Sequence, residues 1–378
     1  MTDQSNGVPF LDLVSQQAEV ADHVLSEWQR LFSEARFVGG PEVSAFEREF
    51  ADYIGVAHSV GVANGTDALE LAYRALGIGQ GDEVILPVNT FIATAEAVTA
   101  VGATPVFVDV DDETLLIDPQ AAEAAITERT RAIVPVHLFG QTAPVEELLP
   151  AAASRGIVIV EDAAQSQGAT SVAGRAGALG TIAATSFYPG KNLGAAGDAG
   201  AIMTGDIALA DFVRNFAAHG SSAKYVHDRV GRNSRMDAIQ SVVLSAKLRR
   251  LDAWNAARAT AAARYGELLV DHPGVRLPGT RPGNHDVWHL YVIRVEDRDR
   301  VISELASAGI GAGIHYPTPL HLTEAYAALG YRRGQFPVAE RAADAILSLP
   351  MFPHLTGEQQ ERVVRAVGGA ARVPITKR

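Results

Sequence analysis

Two residues stand out by type and setting: Lys191 and Asp162, 29 positions apart. The chain has four lysines, Lys191, Lys224, Lys247 and Lys377, against 28 arginines. A lysine can lose its proton and attack a carbonyl; an arginine effectively cannot. Lys191 lies within TSFYPGKNLGAAGDAG (185–200), among aromatic, Gly and Ala residues rather than the polar neighbours of a surface lysine. Desolvation in such a place lowers the amine pKa and makes it a nucleophile able to form an imine. The competing reading is a lysine on an ordinary Gly/Pro loop. Asp162 ends the apolar run GIVIVED (156–162) and is followed, after two alanines, by Gln165. A buried carboxylate needs a cationic partner, and a protonated ring nitrogen is one.

These side chains need a scaffold. HSVGVANGTDALELAYRAL (58–76) reads as strand, turn and helix, with Asn64-Gly65-Thr66-Asp67 at the turn. A helix start offers free N–H groups and positive dipole character, which suit a phosphate. The alternative is a plain N-cap by Thr66 or Asp67. Strands over 83–87, 104–110, 132–140 and 156–162 alternate with helices over 90–102, 118–127 and 144–155. That alternation predicts βαβ units and a mainly parallel sheet. The strands are continuously apolar, as strands covered on both faces are. Strand ends in such a sheet are where ligands bind, which places Asp162 at a site.

Outside this region the N-terminal 36 residues read as a short tail and a helix with Val20, Val24, Leu25, Trp28 and Leu31 on one face. FVGGP (37–41) breaks it, and Pro41 opens a second helix through Val43, Phe46 and Phe50. One long helix is expected from Asp237 to about Arg264. Residues from 275 onward change character, with a strand over 288–295, helices over 301–308, 336–347 and 357–370, and a loop over 311–319.

A carboxylate, an amine nucleophile and a phosphate-binding helix start are together what a pyridoxal phosphate site requires. Composition narrows the remaining classes. The chain has 378 residues, 47% hydrophobic and 20% charged, with a net charge of −12. That balance argues against a nucleic-acid surface. The absence of cysteine excludes disulfides, thiolate metal sites and Cys nucleophiles. No apolar run approaches the roughly 18 residues that span a membrane. MTDQSNGVPFLDL lacks the pattern of a secretory signal, so a cytoplasmic location is expected. His285 and His289, four apart, would suit zinc on a helix, but no third ligand accompanies them and no metal is expected.

The blocks FVGGPEVSAFEREFADYIGV, NGTDALELAYRALGIGQGDEVILP, PVHLFGQTAPVEEL, VEDAAQSQGA, SFYPGKNLGAAGDAGAI, NSRMDAIQ, IHYPTPLHL and LSLPMFP occur in order. Through them nearly the whole chain resembles the nucleotide-sugar aminotransferases of the DegT/DnrJ/EryC1/StrS family. The resemblance implies an α/β fold of the pyridoxal-phosphate transferase type I, like aspartate aminotransferase. It implies a large cofactor-binding domain over 37–250, with a mainly parallel seven-stranded-type sheet, after the segment 1–36. A smaller α+β domain would occupy 251–378. It further implies that Lys191 holds the cofactor as an imine and moves a proton during the reaction. Asp162 would pair with the ring nitrogen, Gln165 would reach the phenolic oxygen, and Phe91 would stack on the ring. Gly65, Thr66 and Ser186 would bind the phosphate, joined by Asn233 from the other subunit of a homodimer with shared sites. His219, Lys224, Tyr225, Arg229, His315 and Tyr316 would face the substrate. Two positions depart from the family pattern: Ala199 stands where Gly is usual, and Asn64 where Ser is frequent. A branch of the family that dehydrates sugars has His at the lysine position, whereas this chain has Lys191.

The implied reaction is transamination. L-Glutamate would convert pyridoxal phosphate to pyridoxamine phosphate, and a nucleotide-linked keto-deoxysugar would then take the amino group. SFYPGKNLGA, WHLYVIR and HYPTPLHL look most like members that aminate C3 of a dTDP-3-keto-6-deoxyhexose, in antibiotic or surface-glycan aminosugar biosynthesis. Amination at C4, or of a UDP-linked sugar, is the alternative within the class. A cofactor-binding sensor or regulator, and an aminotransferase for amino acids or cyclitols, are alternatives outside it.

Overall fold

A computed structural model describes residues 7–371; residues 1–6 of the expected N-terminal tail and residues 372–378 lie outside the described residues. The principal sheet comprises β1 (His58–Val62), β2 (Glu83–Pro87), β3 (Thr104–Val108), β4 (Thr130–Ile133), β5 (Val158–Asp162), β6 (Ile182–Ser186) and β7 (Gly200–Thr204). Its spatial order is β1-β7-β6-β5-β4-β2-β3. The run from β6 to β3 is parallel, while β7 lies antiparallel to β6 and β1. This is the expected α/β architecture with a mainly parallel seven-stranded sheet. Burial on both faces explains the continuous apolar runs: all five residues of β2 and of β7 are buried.

The helices are α1 (Leu13–Ala18), α2 (Ala21–Ser33), α3 (Pro41–Ile54), α4 (Gly65–Ala75), α5 (Ala93–Ala100), α6 (Pro119–Ala124), α7 (Val145–Ala153), α8 (Ile207–Ala217), α9 (Ala238–Leu248), α10 (Leu251–Leu269), α11 (Arg298–Ser307), α12 (Pro337–Ala345) and α13 (Gly357–Ala371). The N-terminal helical pattern divides into α1 and α2. The long helix expected from Asp237 divides too, because the chain turns at Arg249–Arg250. The Arg250 N–H bonds Lys247 O at 2.9 Å, and Trp254 N–H bonds Arg250 O at 3.0 Å to restart the helix. The turn lets Leu244 serve the aromatic core under the sheet while Ala261, Tyr265 and Leu269 serve a second core.

That second core lies against an antiparallel sheet of β8 (Val275–Arg276), β9 (Tyr291–Val295) and β10 (Ile346–Leu349). The helix expected over 336–347 stops at Ala345. Ile346 turns extended and ILSL pairs with β9, burying all four residues. Near the N-terminus, Val8 pairs in parallel with Ile310, so the chain's first described residues attach to the end of α11.

The loop between β6 and β7 carries Lys191, and several contacts pin it. Phe187 is fully buried against Phe46 and Phe50 of α3, with ring centroids 5.4 and 5.2 Å away. Its backbone bonds Ala199 and Ala195 at 2.8 Å each. Lys247 of α9, itself buried, donates to Gly194 O at 2.7 Å. Neither β6 (IAATS) nor β7 (GAIMT) is among the strands expected from the sequence; each mixes Ala or Gly with only two β-branched residues, so neither shows the long apolar run that marked the others. Phe187→Ala is expected to cost about 3–5 kcal/mol by opening a cavity under the loop, measured by chemical denaturation. A loss within about 1 kcal/mol would show that the aromatic cluster does not anchor it.

Candidate active site

A cavity of about 810 Å³ opens over the ends of β5 and β6 and the start of α4. Asp162 reaches it as the last residue of β5, and Lys191 from the β6–β7 loop. Burial pulls the Lys191 amine down to about 8, and the Asp162 charge opposes the change without cancelling it. A sizeable neutral fraction of this amine is therefore present near neutral pH. Among the described residues the amine has no hydrogen-bond or ion-pair partner, although Asp162 lines the same cavity.

Asp162 is 6% exposed. One carboxylate oxygen accepts from the Ala164 N–H at 3.1 Å and the other from the Thr94 hydroxyl at 2.8 Å. The preceding residue, Glu161, points away from the cavity. It accepts from Gly177, Leu179 and Gly180 N–H groups at 2.7–2.8 Å and lies 2.8 Å from His137 Nε2. The Ala143 N–H donates to His137 Nδ1, which leaves Nε2 as the protonated nitrogen that donates to Glu161. This buried cluster ties β5 to the segment before β6.

At the start of α4 the N-cap is Asn64, whose side chain accepts from the Asp67 N–H at 2.8 Å, and not Thr66 or Asp67 as the alternative reading had it. A side chain at Gly65 would place its Cβ 2.6 Å from Ser186 Cβ. Only glycine lets the helix start come this close to the end of β6. The result is a small cradle of helix N-terminus and Ser186 hydroxyl, open to the cavity. Phe91, 53% exposed despite its size, lines the same cavity with its ring 5.6 Å from that of Tyr316.

The expected residues Gly65, Thr66, Phe91, Asp162, Gln165, Ser186, Lys191, His315 and Tyr316 thus meet around one space. Gln165 accepts from the Phe139 N–H at 2.7 Å and donates to the Tyr316 hydroxyl at 3.1 Å. It therefore fixes Tyr316 as well as facing the cavity. His315 stacks on Phe10 at 5.7 Å and lies 2.8 Å from Ser348 Oγ; burial brings its pKa down to about 4, so it is neutral. His219, Lys224, Tyr225, Arg229 and Asn233 do not line the cavity. They lie on the excursion between α8 and α9, where residues 222–230 are all exposed. Lys224 sits over the Tyr225 ring and Arg229 over that of Phe212, while Asn233 accepts from Arg235.

Several lining residues were not picked out from the sequence: Phe10, Leu11, Thr90, Thr94 and Tyr188, while His289 was considered there only as a zinc ligand. His289 shows what a spacing argument loses. Both amide hydrogens of Asn192 are used, on Asn255 Oδ1 at 2.9 Å and Val287 O at 2.8 Å. Asn192 Oδ1 is therefore left to accept from His289 Nδ1 at 3.2 Å. His289 is thus held as the Nδ1–H tautomer, and burial together with the Lys191 charge keeps it neutral. His285 instead bridges to Thr170 by its backbone.

The donor set fits pyridoxal phosphate: a cradle for phosphate, an exposed ring, a held carboxylate and an unpartnered amine. Comparison with known proteins agrees. The profile of the DegT/DnrJ/EryC1/StrS aminotransferase family matches residues 19–368. The chain belongs to this family. It is 49% identical to the "erythromycin biosynthesis sensory transduction protein EryC1" of Saccharopolyspora erythraea, over 96% of this chain and 100% of that one. It is 47% identical to a dTDP-3-amino-3,4,6-trideoxy-alpha-D-glucose transaminase of Streptomyces venezuelae, over 95% of each chain. A UDP-N-acetyl-3-dehydro-alpha-D-glucosamine 3-aminotransferase of Acidithiobacillus ferrooxidans is 44% identical, over 96% and 98%. Among solved structures, S. venezuelae DesV in complex with a ketimine intermediate superposes with a TM-score of 0.95 at 46% identity, covering 98% of this chain and 100% of that one. NtdA of Bacillus subtilis, with bound PMP, gives 0.90 at 30% identity, covering 98% and 87%. The DegT/DnrJ/EryC1/StrS aminotransferases depend on pyridoxal phosphate, and this chain is a pyridoxal-phosphate-dependent enzyme of that family.

The lowered Lys191 pKa has a kinetic consequence. The amine attacks only when unprotonated. The rate at which apoprotein captures added pyridoxal phosphate should climb with pH and level off above about 8. Stopped-flow absorbance at a series of pH values checks this. A rate still rising tenfold per pH step beyond 9 would mean an ordinary surface-like lysine, about 10.4.

Proposed function

We propose that this chain transfers an amino group from L-glutamate to C3 of a dTDP-linked 3-keto-6-deoxyhexose, in the assembly of an aminosugar. The observation that carries the transamination step is Lys191, a partner-free amine with its pKa at about 8, set opposite the doubly held Asp162 carboxylate in one cavity. Pyridoxal phosphate bound here would supply an electron-accepting ring and a carrier for the amino group. Asp162 would hold a proton at the ring nitrogen. Lys191 Nζ would hold the cofactor's aldehyde and would serve as the base and acid that moves a proton at the reacting carbon. Gly65, Thr66 and Ser186 fix the phosphate, Phe91 covers one face of the ring, and Gln165 faces the phenolic oxygen while steadying Tyr316. His315 and Tyr316, one neutral and one held as a phenol by burial, offer uncharged polar contacts to a sugar. The names of the S. venezuelae and A. ferrooxidans relatives support amination at C3, with the first favouring dTDP.

The second half of the reading is a homodimer with shared sites. Its support is the placement of Asn233, His219, Lys224, Tyr225 and Arg229 on an exposed excursion, outside the cavity of their own chain. Tyr225 and Val230 there are 84% and 93% exposed. In a dimer these residues reach the neighbour's cavity, with Asn233 on its phosphate and the cations on the pyrophosphate of the substrate. We place the enzyme in the cytoplasm. No helix among the described residues is long and apolar enough to cross a membrane. The S. erythraea relative's name gives a sensory role some standing, but a sensor has no need of a nucleophilic Lys191.

The test is turnover with L-glutamate against a panel of 3-keto and 4-keto sugars linked to dTDP or UDP. The expected ranking puts the dTDP-3-keto-6-deoxyhexose first by kcat/KM. Preference for a 4-keto sugar would overturn the C3 assignment, and no turnover with any member would favour the sensor. Sharing of sites is checked with mixed dimers of Lys191→Ala and Asn233→Ala chains. Shared sites leave one complete site, so activity should rise well above that of the Asn233→Ala homodimer, towards half of the unmodified enzyme. Self-contained sites would give no such recovery.

A further inference from the structure

Asp162 does not stand alone at the end of β5. Thr94 is fully buried on the first turn of α5, and its hydroxyl donates to Asp162 at 2.8 Å. Thr90, 3% exposed, lies four residues earlier, before the helix begins, with its hydroxyl 2.9 Å from that of Thr94. The direction of this chain follows from donor counting. A carboxylate only accepts, so Thr94 spends its single proton on Asp162. The Thr90 hydroxyl must then be the donor to Thr94. A helical threonine ordinarily bonds back to the carbonyl four residues earlier. Thr99 of the same helix does so, on Ala95 O at 3.1 Å. Thr94 makes the longer-range contact instead, across 68 residues of sequence.

We infer that Thr90 and Thr94 form a hydroxyl relay that positions Asp162 and keeps the proton it shares with the cofactor on the ring nitrogen. The inference rests on the role proposed above for Asp162. Hydrogen bonds to a carboxylate favour its charged form. Asp162 receives two, from Thr94 on one oxygen and from the Ala164 N–H on the other. Each polarises the carboxylate away from taking the proton itself, and the pair fixes the plane in which its remaining lone pairs point. The other ionisable groups near Asp162 do not substitute for this. The Tyr73 hydroxyl is buried without a partner, the Tyr316 hydroxyl is engaged by Gln165, and the Lys191 amine makes no ion pair. Thr94 and Thr90 are thus positioning residues that act through Asp162. A ring nitrogen that stays protonated withdraws electrons most strongly, so the relay sets how well the cofactor accepts them.

The experiment uses holoenzyme reconstituted with pyridoxal phosphate labelled with 15N in the ring, and reads the protonation of that nitrogen by NMR. Thr94→Val keeps the shape and removes the hydroxyl; Thr94→Ser keeps the hydroxyl. The unmodified enzyme and Thr94→Ser should show a protonated ring nitrogen, and Thr94→Val a shift towards the unprotonated form. Thr90→Val should move it the same way by less, and serves if Thr94→Val does not fold. In parallel kcat should fall about 10- to 100-fold in Thr94→Val, with KM for L-glutamate within twofold and recovery in Thr94→Ser. A fully protonated nitrogen in Thr94→Val and Thr90→Val, alongside an unprotonated one in Asp162→Asn, would overturn the relay and leave the role of Asp162 intact. A protonated nitrogen in Asp162→Asn would overturn both.

Discussion

The structure depends on keeping an amine and a carboxylate in the same poorly solvated space without letting them close on each other. Burial disfavours both charged forms, and mutual attraction would restore them by forming an ion pair. Here no ion pair closes. The Asp162 carboxylate accepts instead from the Thr94 hydroxyl and the Ala164 N–H. The Lys191 pKa falls because burial disfavours its protonated form, and among the described residues nothing accepts from the amine. On the proposed reading, a cofactor ring bound here would set its nitrogen towards Asp162 and its aldehyde towards Lys191.

Most of the fold serves that separation. Asp162 is set by β5, whose next residue inward, Glu161, is locked by three backbone N–H groups and His137. Lys191 is set by a loop with a Phe187 anchor at its start, an antiparallel return through β7, and Lys247 holding Gly194 from beneath. Lys247 also has a pKa near 8, again through burial. It differs from Lys191 in having a carbonyl to donate to, and in facing protein rather than the cavity. Lys247 is thus engaged by protein, whereas Lys191 is left facing the cavity.

Much of this was legible in the chain, for reasons that differ by residue. Asp162 and Lys191 announced themselves because strand exits and lysines in apolar loops are local features. Gly65 was visible as the turn between a strand and a helix, although its real constraint is the approach of Ser186 within what would be a Cβ contact. Residues that meet only through tertiary structure were not legible. Thr94 reaches Asp162 because β2 and β5 flank β4 in the sheet, an order that no local pattern encodes. The four-residue spacing of Thr90 and Thr94 was the one available signal. Phe10 meets His315 because Val8, two residues before it, bridges to Ile310. The break at Arg249–Arg250 was hidden by a helical pattern that continues on both sides of it. The expected site residues on the excursion, Tyr225 and Asn233 among them, lie outside the cavity of their own chain, and no local pattern signals that displacement.

The central claim is that Lys191, and no other lysine, holds the cofactor. Borohydride reduction of the holoenzyme followed by peptide mass mapping tests it directly. The account predicts the cofactor mass on the peptide carrying Lys191 in near-stoichiometric yield, and an unmodified Lys247. Cofactor on the Lys247 peptide, or on none, would contradict it.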